Sequence, residues 1–219
     1  MEKEKVVKMT KEFVRNKLEG EGSGHDWWHI HRVYNIAVNL AKNEKENPNL
    51  IVIELGALLH DIADWKFNDG NTNVGADITR KFLNELNVDK EVIDQVAYIV
   101  KNISFKGAGE SSKLNTLEGK IVQDADRLDA IGAIGIARAF AYGGSKNREM
   151  YNPNIKPEKH ETFDQYKNSK GTTINHFYEK LLLLKDLMNT ESGKKYAEKK
   201  HKFMEEYLEE FYNEWDGKY

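Results

Sequence analysis

Only three prolines, Pro48, Pro153 and Pro157, occur in 219 residues, so long stretches can run as helix without losing a backbone donor or meeting the clash of a proline ring. Few segments alternate apolar and polar residues with the two-residue period of a half-buried strand. Many repeat apolar residues at three- and four-residue spacing instead. The pattern predicts an all-α protein.

Residues 4 to 19 place Val7, Phe13, Val14 and Leu18 near one face, and the run Gly20-Glu21-Gly22-Ser23-Gly24 ends that first helix. The glycine run lacks the Lys-Ser/Thr ending of a P-loop and reads as a cap and turn. Asp26 is a good N-cap for a second helix running through Val33, Ile36, Ala37 and Leu40 to Asn43, before Asn47-Pro48 breaks the chain. A strongly apolar third helix is expected over Leu50 to Ile62 (LIVIELGALLHDI), with more polar helices over 74–86 and 89–103. After a loop at 104–113, Asn115 and Glu118 are spaced like a cap-and-return pair, leading into a buried helix pair over 120–140. Residues 143–171 are polar, rich in breakers and too long for an ordinary connector, and are expected to form a lid or a mobile loop. Two amphipathic helices follow, over 172–189 with Phe177, Leu181, Leu184 and Leu187, and over 193–215 with Tyr196, Phe203, Tyr207, Phe211 and Trp215. The expected organisation is a single helical domain over 1–219.

The 33 basic and 36 acidic residues are interleaved along the chain, which leaves no basic face of the kind that nucleic acid requires. No apolar run approaches the ~18 residues that span a bilayer, and the opening MEKEKVVKMTKEF lacks the apolar core of a signal peptide. A cytoplasmic protein without a membrane partner is expected. Cysteine is absent, which removes disulfides, thiolate metal ligands and cysteine nucleophiles together. Any metal must sit on nitrogen and oxygen.

Such a metal needs imidazoles and carboxylates converging from different elements. Two His-Asp dipeptides occur, His25-Asp26 and His60-Asp61. Asp26 is accounted for as an N-cap. His60-Asp61 ends the apolar run Leu55-Gly56-Ala57-Leu58-Leu59 and precedes Ile62-Ala63, so two polar side chains fall where a helix should be mostly buried. A cation would offset the cost of burying them. The alternative is a helix-end histidine near the C-terminal dipole with a surface aspartate. His29 and His31, two apart on one helix, point to different faces. His29 shares the inward side with Val33 and Ile36, where packing explains a histidine as well as ligation does. In VQDADRLDAIG, Asp124, Asp126 and Asp129 are too many carboxylates for a plain core helix, and periodicity singles out none of them.

Taken in order, these residues resemble the HD-domain superfamily of metal-dependent phosphohydrolases, whose signature is a histidine, a His-Asp pair and a distant aspartate. Asp26-x-x-His29-x-x-Arg32-Val33 is similar to the first motif, Leu58-Leu59-His60-Asp61-Ile62-Ala63-Asp64 to the central one, and Ala125-Asp126-Arg127-Leu128 to the last. The resemblance covers about residues 25 to 140 and implies an HD-type helical bundle with additional C-terminal helices. It implies His29, His60, Asp61 and Asp126 as ligands of one divalent cation. The stretch from Thr172 to Trp215 is similar to a subfamily of small stand-alone bacterial HD hydrolases, some of which cleave nucleoside triphosphates to monophosphate and pyrophosphate. No histidine occurs between His60 and His160, where the family's cyclic-nucleotide phosphodiesterases and di-iron oxygenases supply further ligands. A single-metal centre follows.

The resemblance thus implies a hydrolase acting on a small phosphorylated substrate, with a nucleoside triphosphate expected. The cation expected is Mn²⁺, with Fe²⁺, Co²⁺, Ni²⁺ or Mg²⁺ as alternatives, since two imidazoles are softer than an all-oxygen cage. Asp64 matches a position often held by a catalytic acid, the alternative being a solvated helix-end carboxylate. Lys66, Lys106, Arg32 and Arg127 are candidate phosphate clamps, each with an ordinary surface cation as its alternative, and Lys66 and Lys106 rank first. Trp27, Trp28, Trp65 and Phe67 flank the motifs and could stack on a base or simply pack. Competing readings are a nucleotidase acting on monophosphates, a regulatory module without turnover, and an iron oxidoreductase in the same pocket. The complete ligand quartet counts against the regulatory module and the missing histidines against the oxidoreductase.

Overall fold

The computed structural model describes residues 2–18, 26–63, 73–103, 114–158 and 171–218. Among the described residues there are nine α-helices and one 3₁₀ segment and no strand, so the chain is all-α. No helix among them is long and apolar enough to cross a membrane. The described residues up to Asp126 form one compact unit and those from Arg127 onward a second.

The first unit contains α1 (Lys3–Leu18), α2 (Trp27–Asn43), α3 (Leu50–Leu59), α4 (Val74–Glu85), α5 (Lys90–Asn102) and most of α6 (Leu117–Asp129). Eight of the ten residues of α3 are buried. A helix that is apolar all round is stable only when neighbours cover it, and α1, α2 and α5 pack against it. Gly56 permits the close approach, since a Cβ there would lie 3.4 Å from side-chain atoms of both Ile99 on α5 and Val122 on α6. The Tyr34 hydroxyl of α2 donates to Glu54 Oε1 of α3 at 2.7 Å, and the Lys11 ammonium of α1 stands 3.7 Å from the Tyr34 ring centroid. Burial lowers the Lys11 pKa, against the pull of Glu54. Burial, then the bond to Glu54, raises that of Tyr34.

Asp26 caps α2 as expected, its carboxylate accepting from the His29 backbone N–H at 2.9 Å. The start of α6 departs from expectation. Thr116 Oγ1 accepts from the Gly119 N–H at 3.2 Å, while Glu118 accepts from the Asn49 N–H at 2.9 Å and Asn115 accepts from the Tyr98 hydroxyl at 3.4 Å. Glu118 therefore satisfies a backbone donor at the start of α3, a tertiary demand that no local pattern contains.

The second unit contains α7 (Gly132–Ser145), α8 (Thr173–Glu179), the 3₁₀ segment Leu181–Leu187 and α9 (Glu191–Trp215). The single helix expected over 172–189 is broken at Lys180, whose φ of -144° is not helical. Of the expected lid, residues 143–145 belong to α7, and the Thr173 and Ile174 N–H groups donate to the Glu149 and Met150 carbonyls. Residues 159–170 of that stretch lie outside the described residues. The α6–α7 joint turns at Gly132, with φ +75°, and Lys200 of α9 donates to the Leu128 and Ile131 carbonyls there at 2.7 and 3.3 Å.

The inward stripe of α9 is offset by one residue from the one its aromatics mark. Ala197, Met204 and Leu208 are buried, whereas Tyr196 and Phe203 are 40% and 47% exposed. Small and aliphatic side chains, not the aromatics, face the unit's interior along most of this helix. Tyr207 and Phe211 still join Phe140 and Phe177 in a ring cluster with centroids 6.0–6.5 Å apart.

Candidate metal centre

His29 sits in the first turn of α2, held there by the Asp26 cap, and His60 and Asp61 follow the last turn of the buried α3. Asp126 projects from α6, next to the fully buried Ala125. These elements of the first unit bring four donor atoms together. His29 Nε2 and His60 Nε2 are 3.3 Å apart. Asp126 Oδ1 lies 3.4 Å from the former and 3.8 Å from the latter, and Asp61 Oδ2 lies 3.5 and 3.6 Å from the same two nitrogens.

The orientation of one imidazole follows from its neighbour. His60 Nδ1 is 2.9 Å from the Ala57 carbonyl oxygen, which can only accept, so Nδ1 carries a proton and Nε2 is the nitrogen turned into the cluster. This orienting partner was not anticipated from sequence, because any residue supplies a carbonyl and no side-chain identity marks it. Both histidine side chains are 1% exposed, against 21% for Asp61 and 38% for Asp126. The imidazoles form a closed floor and the carboxylates an open rim.

Donor atoms bound to one ion at about 2.1 Å stand about 3.0 Å apart on an octahedron and about 3.4 Å apart on a tetrahedron. The histidine–histidine and histidine–carboxylate separations start inside that range at 3.3 Å and extend beyond it to 3.8 Å, so small side-chain rotations bring these pairs to bonding distance of one cation. Desolvation by the dense protein around Asp126, even with part of its side chain open, opposes ionisation. The hydrogen bond from His29 and the potential of His60 and His29 outweigh it, against Asp61, and hold the group below the ordinary carboxylate range. Charged oxygens beside imidazole nitrogens suit a divalent ion.

Of the three aspartates of α6, Asp126 reaches the histidines. Asp129 instead pairs with Arg138 Nη1 at 2.8 Å, and Asp124 is fully buried. Arg32 is half-buried one turn beyond His29 on α2, and Arg127 donates from Nη1 to the Leu187 carbonyl. Trp28 is 59% exposed at the start of α2 and meets His31 edge-on. Asp64, Lys66, Lys106, Trp65 and Phe67 lie outside the described residues.

A helical unit that gathers two buried imidazoles and two carboxylates from three helices is the scaffold of a candidate metal-site protein. The HD domain family matches residues 27–131, a span that includes all four of these residues. The Bacillus subtilis (strain 168) protein YpgQ is 37% identical over 209 residues, covering 95% of this chain and 93% of its own. The crystal structure of an HD-superfamily hydrolase from Bacillus thuringiensis is 44% identical, with a TM-score of 0.77 over 98% of this chain and 99% of that one. A crystal structure of YpgQ in complex with ADP is 35% identical, with a TM-score of 0.74 over 95% of this chain and 97% of that one. The chain belongs to the HD-domain family.

Proposed function

We propose that this protein is a metal-dependent phosphohydrolase that converts nucleoside triphosphates to nucleoside monophosphates and pyrophosphate, using one divalent cation held by His29, His60, Asp61 and Asp126. The observation that carries this reading is the convergence of His29, His60 and Asp126 on one point, with an Asp61 oxygen 3.5 and 3.6 Å from the two imidazole nitrogens, beneath a carboxylate rim that is open to solvent. The ADP bound to YpgQ supports a nucleotide substrate. Mn²⁺ suits the mixed imidazole and carboxylate set better than Ca²⁺ does.

A divalent ion in this centre supplies a water acidified towards neutrality and neutralises charge on a phosphate oxygen. The chain's own residues do the rest. His29 and His60 exclude solvent from the inner side, and the Ala57 carbonyl keeps Nε2 of His60 aimed inward. Asp64 orients the water and takes its proton, while Lys66 and Arg32 neutralise the outer phosphates. The water oxygen bonds to the α-phosphorus, and the bond from that phosphorus to the bridging oxygen breaks. Pyrophosphate leaves with the electron pair.

Product analysis in ¹⁸O-labelled water tests the assignment. Label is expected in the monophosphate and none in pyrophosphate. Diphosphate with orthophosphate, or nucleoside with tripolyphosphate, overturns the bond assignment. Activity confined to monophosphates replaces it with a nucleotidase.

A further inference from the structure

Helix α6 reaches two other helices of the first unit with polar side chains aimed at backbone groups. Glu118 accepts from the Asn49 N–H that precedes α3. Gln123, only 3% exposed, donates from Nε2 to the carbonyl oxygen of Ile103, the residue that ends α5, at 3.2 Å. A carbonyl at a helix end has no partner within its own helix, and Ile103 is buried, so this bond satisfies an acceptor that would otherwise cost stability. Gln123 also stands one turn before Asp126, on the adjoining position of the helix surface.

We propose that Gln123 is a positioning residue of the metal centre: its bond to Ile103 fixes the rotation of α6 and thereby aims Asp126 at His29 and His60. The inference rests on the reading of His29, His60, Asp61 and Asp126 as one divalent-cation centre. Side-chain atoms lie ~5–6 Å from a helix axis, so a turn of about 10° carries a carboxylate through about 1 Å. That is twice the ~0.5 Å within which a functional constellation must be held. Apolar contacts such as Val122 against Gly56 set how closely α6 approaches α3, but their attraction has no direction. A hydrogen bond weakens steeply with misalignment and resists the rotation that those contacts permit. Asp126 depends on this restraint more than the imidazoles do, because its side chain is 38% exposed and theirs are enclosed by packing. Gln123 lies outside the donor set and acts through Asp126.

Calorimetric titration of the full metal-free chain with Mn²⁺ tests the role of Gln123 separately from the centre. Gln123→Met keeps the length of the side chain and deletes the donor, and the dissociation constant should rise ~10–100-fold, the range for outer partners of metal ligands. Tyr34→Phe deletes a hydrogen bond of the same unit away from α6. It should lower the urea midpoint comparably and leave the metal constant unchanged. With Co²⁺ at saturation, the visible spectrum of Gln123→Met should shift, because Asp126 meets the ion at a changed angle, and that of Tyr34→Phe should not. In an Asp126→Ala background Gln123→Met should weaken binding no further, whereas in an Asp61→Ala background it should keep its effect. If Gln123→Met does not fold, Gln123→Asn, with its amide on a shorter stem, should raise the constant by ~3-fold or more. A wild type that binds no Mn²⁺ overturns the centre and the role of Gln123 with it. A wild type that binds one equivalent, with both Gln123 variants within about 3-fold of it or matched by Tyr34→Phe, overturns the positioning role alone.

Discussion

The imidazole of His60 donates from Nδ1 to the carbonyl oxygen of Ala57, 2.9 Å away and one turn earlier in the chain. A helix end that would otherwise leave this carbonyl to water thereby fixes which nitrogen of His60 faces His29. In ¹⁵N-detected spectra of the metal-free protein near pH 8, His60 should show a protonated Nδ1 in slow exchange and an unprotonated Nε2. The opposite tautomer would mean that the ring is not oriented by Ala57.

Elemental analysis after loading and desalting should find one divalent ion per chain, with Mn²⁺ retained in preference to Ca²⁺. The His60→Ala/Asp61→Ala variant should lose affinity by more than the ~10–100-fold that attends changes in outer partners. Full retention in that variant, or a stoichiometry near two, removes the centre as drawn.

Asp64→Asn deletes a proton acceptor without touching the four donors. Metal content should be unchanged and kcat should fall about 100-fold or more, the range for a positioned acid or base. An unaltered kcat assigns Asp64 to the surface.

The raised pKa of Tyr34 has a sign that can be checked. A phenol whose folded pKa exceeds its unfolded value contributes stability that is fully present below about pH 10 and is lost as pH rises from there towards the folded value. The urea midpoint should therefore decline above pH 10, and the decline should be shallower in Tyr34→Phe. At pH 7 the same variant should lose about 0.5–1.5 kcal/mol, for the missing bond to Glu54. Parallel profiles for the two proteins would refute a role for Tyr34.

At the α6–α7 joint, Lys200→Met keeps the stem of the side chain but removes the donor to Leu128 and Ile131. A loss of about 1–3 kcal/mol is expected. Gly132→Ala should cost a comparable ~1–2 kcal/mol, because the positive φ crowds any Cβ and the added atom would meet Lys200 Cγ at 3.1 Å. Urea denaturation measures both, and a neutral Gly132→Ala would show that the joint relaxes.

Helix α2, its Asp26 cap and the apolar α3 were legible along the chain because each depends on neighbours within a turn or two. Residue chemistry also restricted any metal to imidazole and carboxylate donors, since no thiolate exists. The break at Lys180 and the one-residue offset of the buried stripe of α9 were not legible, as each answers to what packs against the helix. The same holds for Glu118, drawn to Asn49.

The sequence by itself determined an all-α chain with a polar His-Asp pair at the end of its most apolar helix, because periodicity and composition act locally. Periodicity left Asp124, Asp126 and Asp129 open and the family resemblance implied Asp126; the tertiary structure is what brings Asp126, and not the other two, to the histidines. That choice rests on how α6 is rotated about its axis against α2 and α3. The rotation is set by contacts such as Val122 against Gly56, which join residues far apart in the chain and leave no trace in the spacing of the aspartates.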